Sequence, residues 1–473
     1  FTVRKAAAGA TIGPRLGRLT QAGRGRNLDA GIETPNFIAV ASRGVVPHLT
    51  PDMVERHTGI ESVLMGLEDF IEKAPATTPP ILSSALTSHA SHTSPSSPSP
   101  LHLFTGTPSL ALTVLSARRL PPVPCPPTLP NSDAAIGIHT SVGFRSLAAA
   151  DYARAVGRLG PDVVVALADV PFGAERVSVR RREKMAERTG RLVGGLVEEL
   201  GRRAAEGAHA ASSIFAPVLP IPLAQQRFYL DELAELASPF SYASTPGISG
   251  LALYDPSVLA PCPAPTDHHD HALTLPAPLT SLPRLSLAPL PSPHALLRAI
   301  SHGADLLAAS FVSRATDAGI ALDFSFTSSA RAPSLGDPAA KTTPRPLGTN
   351  LWDDAADPPH ATSLAPLAPG CRCYACAAHH RAYVAHLLRA REMLAWTLLA
   401  LHNAHVLDAF LRSVRASIAR GDFEADAEAF AKAYNEEGWP EGVIGAEGPR
   451  VRGYQVKSGR GEPKRNRKAW GGL

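Results

Sequence analysis

The stretch PGCRCYACAAHHRAYVAHLL, residues 369–388, places three of the chain's five cysteines within six positions. Cys371, Cys373 and Cys376 form a Cys-x-Cys-x2-Cys loop, and three thiolates on one tight loop are most of a zinc site. Zinc takes four ligands in a tetrahedron, and four protein ligands make a structural site with no open place for a catalytic water. The candidates for the fourth are His379, His380, His386, His402 and His405. His379 and His380 fall in the first turn of a helix beginning near residue 377 and need not face the loop. His402 lies 26 residues beyond Cys376, or about 39 Å along one unbroken helix. It can share a metal with the loop only if the chain folds back. HRAYVAHLLRA followed by REMLAWTLLALHNAHVLDAFL reads as a helical hairpin reversing near residues 388–392, although neither Gly nor Pro marks the turn. A second cluster, Asp267, His268, His269, Asp270 and His271, sits in a Pro-rich loop. Adjacent residues seldom converge on one ion, and we read this cluster as a solvated loop.

The elements that must hold the cysteine loop alternate along the chain. SLAAADYARAVGRLG is apolar at helical spacing and ends on Gly160, and PDVVVALADV is a short Val-rich run suited to a strand buried on both faces. ERVSVRRREKMAERTGRLVGGLVEELGRRAAEG reads as a long amphipathic helix with a break at Gly194 and Gly195. SSIFAPVLP (strand), QQRFYLDELAELA (helix), GISGLALYD (strand) and LPRLSLAPL (strand) follow. SPHALLRAISHG is a helix with Ser292 as its cap and Pro293 in its first turn. ADLLAASFV is a further strand. Such alternation means βα units on a parallel sheet, and the count suits a (β/α)8 barrel. After residue 376 the pattern is helical only.

Composition sets the limits. At 473 residues and 44% hydrophobic, the chain can bury a large core. The net charge of +4 permits an acidic partner such as RNA without arguing for one. Cys125 and Cys262 stand alone, which is no disulfide framework and points to a reducing, cytoplasmic setting. No run of about 18 apolar residues suggests a transmembrane segment, and no signal peptide is visible. The expected organisation is the start of the barrel in 1–74, a flexible low-complexity insertion in 75–133, and the rest of the barrel in 134–328. A Pro-rich linker in 329–365, a zinc-binding helical subdomain in 366–437 and a flexible basic tail in 438–473 complete it. The tail, PRVRGYQVKSGRGEPKRNRKAW, reads first as a solvated end, with RNA contact as the other reading.

The cysteine motif followed after 25 residues by the His of an HN pair resembles the zinc signature of the queuine tRNA-ribosyltransferases, or tRNA-guanine transglycosylases. The intervening HHRAYVAHLLRAREMLAWTLLALHN is similar to that family's zinc-subdomain helices. GADLLAASFVSRATDAG resembles its nucleophile strand, and ETPNFIAVASRGVVPHLTPD the start of its barrel. With GFRSLAAADYARAVGRLGPDVVVALADVPFG, these blocks cover roughly half the chain. The resemblance implies a (β/α)8 barrel with an attached zinc subdomain. It also implies one structural Zn2+ held by Cys371, Cys373, Cys376 and His402.

The family exchanges a guanine in tRNA for a 7-deazaguanine base through a covalent intermediate on an Asp, with a second Asp managing protons. In GADLLA the nucleophile position is Ala308, and Asp305 takes the place of the motif's structural Asp, on the opposite face of the strand. The motif that carries the second Asp has no counterpart. The base-holding Asp aligns with Ala168, or with Asp169 if the register slips by one. Zinc positions kept and chemical positions lost resemble the non-catalytic accessory branch of the eukaryotic enzyme. That branch implies a heterodimer with a catalytic subunit, supporting queuine insertion at the wobble position of tRNA. Two other readings stand beside it: an active transglycosylase using Asp305, Asp317 or Asp169, and an unrelated zinc-stabilised binding protein.

Overall fold

The architecture was obtained as a computed structural model. It describes residues 1–6, 12–20, 31–72, 78–84, 98–173, 177–206, 212–237, 247–260, 274–327, 344–353, 356, 359–437, 439, 444–445 and 448–449. The cluster at residues 267–271 lies outside the described residues, as does most of the basic tail.

Eight short parallel strands close on themselves. They are β1 (Asn36–Val40), β2 (Ser62–Gly66), β3 (Leu112–Ser116), β4 (Val163–Val165), β5 (Ser213–Val218), β6 (Ile248–Leu253), β7 (Arg284–Ser286) and β8 (Leu306–Ala308). Closure is made by β8 on β1, with Leu306 opposite Asn36 and Ala308 opposite Ile38. Side-chain alternation sorts each strand into two cores. Val163, Val165, Leu306 and Ala308 point into the barrel with Ile38, Leu64, Val114, Phe215 and Leu285. Val164 and Leu307 point outward into the larger core under the helices.

The helices between strands follow the expected pattern with two corrections. Ser292 Oγ accepts from the Ala295 amide and caps Pro293–Ser301. The helix Val179–Ala205 runs unbroken through Gly194 and Gly195. A glycine costs a helix interior about 1 kcal/mol relative to alanine, and the buried Leu192, Val193, Leu196 and Val197 around the pair outweigh that. The segment ADLLAASFV is not one strand. It stops at Ala308, and Ser310–Asp317 is helical.

The expected insertion 75–133 is also corrected. Residues 73–77 and 85–97 lie outside the described set, but 98–133 belong to the fold. Within them Pro100–Thr105 is a helix and Leu112–Ser116 is the third barrel strand, every residue of it buried. The Pro- and Ser-rich flanks hid a five-residue strand, LTVLS, too short to dominate the local composition. A hairpin, Ala135–Thr140 with Gly143–Ala148, then covers the barrel's C-terminal side, so Ser146–Ala148 are strand rather than helix.

The opposite end is sealed by an antiparallel sheet of Thr2–Ala6, Arg15–Leu19 and Ile32–Thr34. Its Arg15 reaches the fully buried Asp305, Nε to Oδ1 at 2.9 Å and Nη2 to Oδ2 at 2.5 Å. The Arg284 amide also donates to Asp305 Oδ2, at 2.8 Å. The Arg284 side chain is itself buried; burial and then the neighbouring Arg15 pull its pKa down to about 10, against the pull of Asp305. One carboxylate therefore pairs with the Arg15 guanidinium and holds the Arg284 backbone, while the Arg284 guanidinium donates to the Gly303 and Thr280 carbonyls. Gly303, at φ +82°, leaves room for that guanidinium: a Cβ there would come within 2.5 Å of Arg284 Nη1. Replacing Asp305 by Ala strands the buried Arg15 cation, and the expected loss is ~3–5 kcal/mol. Urea unfolding followed by circular dichroism measures it, and a loss below 1 kcal/mol would mean that the ion pair does not hold the floor.

Candidate metal centre and barrel mouth

The cysteines sit where a loop becomes a short helix. Gly370, at φ +72°, turns the chain, and the Cys371 amide donates to the Ala368 carbonyl. Cys373 caps the helix α1 (Tyr374–Ala378), its sulfur accepting from the Cys376 amide at 3.4 Å. After α1 comes the hairpin of α2 (Arg381–Ala390) and α3 (Met393–Arg420). Its turn uses neither Gly nor Pro. Arg391 takes the left-handed conformation at φ 59°, its amide donates to Leu388 O, and the Glu392 amide donates to Leu387 O. These are the two bonds of a Schellman stop.

The reversal brings His402 of α3 to the loop. His402 Nδ1 lies 3.5 Å from Cys371 Sγ, 3.6 Å from Cys373 Sγ and 3.4 Å from Cys376 Sγ. All four ligand atoms fall within 4.8 Å of one another. Bonds of 2.0–2.1 Å to nitrogen and 2.3 Å to sulfur at a tetrahedral angle put N and S about 3.6 Å apart. The cluster has that spacing before any ion is considered, so it could bind a metal ion. The other candidates are elsewhere. His379 stacks on Tyr383 with ring centroids 5.2 Å apart, His380 caps α2 by accepting from the Tyr383 amide, His386 is exposed, and His405 faces a cleft.

The second nitrogen of His402 fixes the ring. Nε2 donates to Leu322 O at 2.9 Å, which turns Nδ1 toward the sulfurs as the nitrogen a metal would take. Asn403 completes the clamp. Its Oδ1 accepts from the Leu322 amide, and its Nδ2 donates to Ile320 O and Thr316 Oγ1. The HN pair thus grips the strand Ile320–Leu322, which pairs with Gly348–Asn350. Contact with Cys371 drives Cys376 far toward thiolate. Burial alone would lower His402, but the Cys371 and Cys376 sulfurs hold it up at about 9. A metal at this cluster therefore displaces protons.

Around the cluster, Leu367, Val384, Leu387, Leu388, Leu398 and Leu399 form a separate small core. The lower half of α3, through Leu407, Phe410 and Leu411, enters the main core instead. α3 is long and apolar enough to cross a membrane, but 72% of its apolar window is buried by these two cores, which is the pattern of an internal helix.

The barrel mouth is built differently. Ala308 is 1% exposed and packs in the apolar barrel interior, with Leu120, Val40 and Tyr254 against that core. The cavity there, between Ser116, Arg118, Ala168, Phe172 and Tyr254, measures only ≈20 Å³. That is room for about one water. The three acids that an active enzyme would call on do not meet. Asp305 is in the floor. Asp169 is fully buried and turned to the helix Val179–Ala205, where Arg181 and Arg188 bind it, with Asn131 donating from the loop before the hairpin; against its burial, they hold its pKa below the usual carboxylate range. Asp317 pairs with His48 at 2.6 Å on the outer helix Ser310–Asp317.

Two acids at the mouth escaped the sequence reading. Glu68 and Asp69 follow β2 in the turn Leu67–Phe70. Glu68 accepts from Arg119 Nε and from the Arg119 and His139 amides, fastening the covering hairpin. Asp69 pairs with Arg119 at 3.0 Å, and burial raises its pKa to about 6. The signal was GLEDF directly after a buried strand. Neither carboxylate lines the cavity.

Two outcomes are expected of the cluster. Purified chain should carry one zinc, and Cys373→Ser should lose it and make α1–α3 more open to protease than the barrel. Because Cys thiols and a His402 held near 9 must give up protons, zinc affinity should rise with pH through neutrality and fall on acidification. Competition with a chromophoric chelator across pH checks this, and a flat profile would contradict it.

Comparison with known proteins agrees with the geometry. Residues 11–436 match the family model described as queuine tRNA-ribosyltransferase. A queuine tRNA-ribosyltransferase accessory subunit 2 of Schizosaccharomyces pombe is 34% identical over 439 residues, 93% of this chain and 86% of its own. The protein of that name from Anopheles gambiae is 28% identical over 86% of this chain and 84% of its own. A queuine tRNA-ribosyltransferase of Desulforudis audaxviator is 45% identical over 75 residues, 16% of this chain and 20% of its own. The chain belongs to the queuine tRNA-ribosyltransferase family, with its chain-long similarity running to the accessory subunit 2 proteins.

Proposed function

We propose that this chain is the non-catalytic subunit of a heterodimeric queuine tRNA-ribosyltransferase, supporting the exchange of guanine for queuine at the wobble position of tRNA in the cytoplasm. The observation that carries the reading is Ala308. It stands at the C-terminal end of a barrel strand, where barrel enzymes place their chemistry, and it is sealed into an apolar core. A methyl group cannot attack a ribose carbon, and no carboxylate lines the cavity beside it.

What the chain keeps suits a partner's needs. The Cys3His cluster and the hairpin remain, and structural Zn2+ is the ion their donor set fits, through Cys371, Cys373, Cys376 and His402. When bound, the ion would tie the loop to α3 without touching substrate. The same subdomain exposes Leu364 and Met393, each at 76%, with Tyr374 and Leu394 partly exposed. Large exposed apolar side chains of this kind suit an interface core. The partner is a catalytic subunit of the same family, bound through this face, and tRNA reaches the pair through that subunit's active site.

The test is base exchange. Labelled guanine should enter tRNA with the pair and not with this chain alone. Ala308→Asp alone should not restore activity, because nucleophile and proton-handling acid act as a unit. Turnover by the purified chain would overturn the proposal, as would two subunits that never co-elute on size exclusion.

A further inference from the structure

A second recess lies away from the barrel mouth. A cleft of ≈600 Å³ opens between the cysteine loop, α3 and the segment Asp323–Phe326. Its volume is in the range of about 300–1,000 Å³ at which ligand sites are built, against ≈20 Å³ at the mouth. Its charges are one-sided. Arg345, Arg372 and Arg412 line it against a single carboxylate, Asp323. The three arginines come from three separate segments: the chain before Gly348–Asn350, the cysteine loop and α3. Arg372, between two metal-ligating cysteines, is exposed and makes no hydrogen bond or ion pair with any described residue. Arg412 has one partner, Asp408 at 2.9 Å, and its side chain is 57% exposed. Arg345 lies over the Tyr434 ring, 4.7 Å from its centroid, and is held there by the Tyr434 hydroxyl. Exposed guanidinium groups around an open cleft are arranged to accept phosphate oxygens.

We propose that this cleft binds the phosphodiester backbone of tRNA, through Arg372 and Arg412 at its surface and Arg345 from behind. The inference rests on the accessory-subunit reading and adds to it the place where the subunit holds RNA. A polyanion is favoured over a lone phosphate by the spread of the three arginines over separate segments of an open cleft and by the composition of the C-terminal sequence. Tyr434 lines the cleft, and residues 450–473 hold eight Lys and Arg against one acid, Glu462. Phosphate contacts of this kind position RNA without reading its sequence, which is the task left to a subunit whose barrel performs no chemistry.

The experiment uses the zinc-loaded full-length chain, paired with the catalytic subunit and alone. Fluorescence anisotropy with labelled tRNA is followed over a salt series for wild type, Arg412→Glu, Arg372→Glu/Arg412→Glu, and the barrel-wall control Arg227→Glu. Zinc content and co-elution with the catalytic subunit are measured on every variant. The double variant should keep both, bind tRNA about tenfold or more weakly, and show a log K against log salt slope shallower by about 2. Arg412→Glu should give roughly half that change, and Arg227→Glu none. A double variant that co-elutes and binds tRNA like wild type overturns the cleft and leaves the subunit reading standing. If the subunits fail to pair, that reading falls, and the affinities of the isolated chain alone decide the cleft. Displacement of tRNA by millimolar pyrophosphate at constant ionic strength would assign the cleft to a small phosphate ligand and overturn the proposal. Absence of any tRNA binding by the wild-type chain, paired or alone, would do so too.

Discussion

His402 is the residue on which two cores depend. One ring nitrogen faces three sulfurs and the other donates to Leu322 O. It sits fully buried in α3, with the small cysteine-side core toward one end of that helix and the barrel's outer core toward the other. Three sulfurs and an imidazole packed this closely are a liability unless an ion shares their charge. A metal held at this cluster would thus be coupled to the positions of the hairpin, the strand Ile320–Leu322 and the wall of the barrel.

The barrel itself is held by a different device at its other end. Asp305 neutralises Arg15 beside a second buried arginine, Arg284, and closes the floor. Sequence alternation puts this Asp on the outward face of β8 while Ala308 faces the interior. The two positions therefore sit in separate environments: the carboxylate at 305 meets buried Arg15, and the methyl at 308 joins the apolar interior. Asp169 is likewise held away from the interior, its carboxylate bound by Arg181 and Arg188 of the helix Val179–Ala205 and by Asn131.

Much of this was legible in the sequence, for stated reasons. Short Val- and Leu-rich runs between amphipathic helices gave the barrel, and Ser292 and Pro293 marked a helix start that the structure reproduces. The cysteine spacing marked the site, but spacing alone left five histidines open. Only the family resemblance singled out His402, since the turn that delivers it rests on Arg391 in a conformation no composition rule would assign. The third strand was hidden because its five residues, LTVLS, lie within a long Pro- and Ser-rich stretch. GLEDF marks Glu68 and Asp69 locally, but their pairing with Arg119 joins loops 51 residues apart in the case of Glu68, and the sequence does not announce that partner. The cleft that gathers Arg345, Arg372 and Arg412 is likewise a product of tertiary folding alone.

The central claim is a division of labour, with one subunit carrying the covalent chemistry and this one carrying none. The most direct measurement traps the covalent tRNA intermediate. The pair is mixed with labelled tRNA, denatured, and the subunits are separated by mass. The account predicts label only at the mass of the catalytic subunit plus tRNA, at no more than one per heterodimer. Label at the mass of this chain plus tRNA, abolished by replacing Asp305, Asp169 or Asp317, would contradict it.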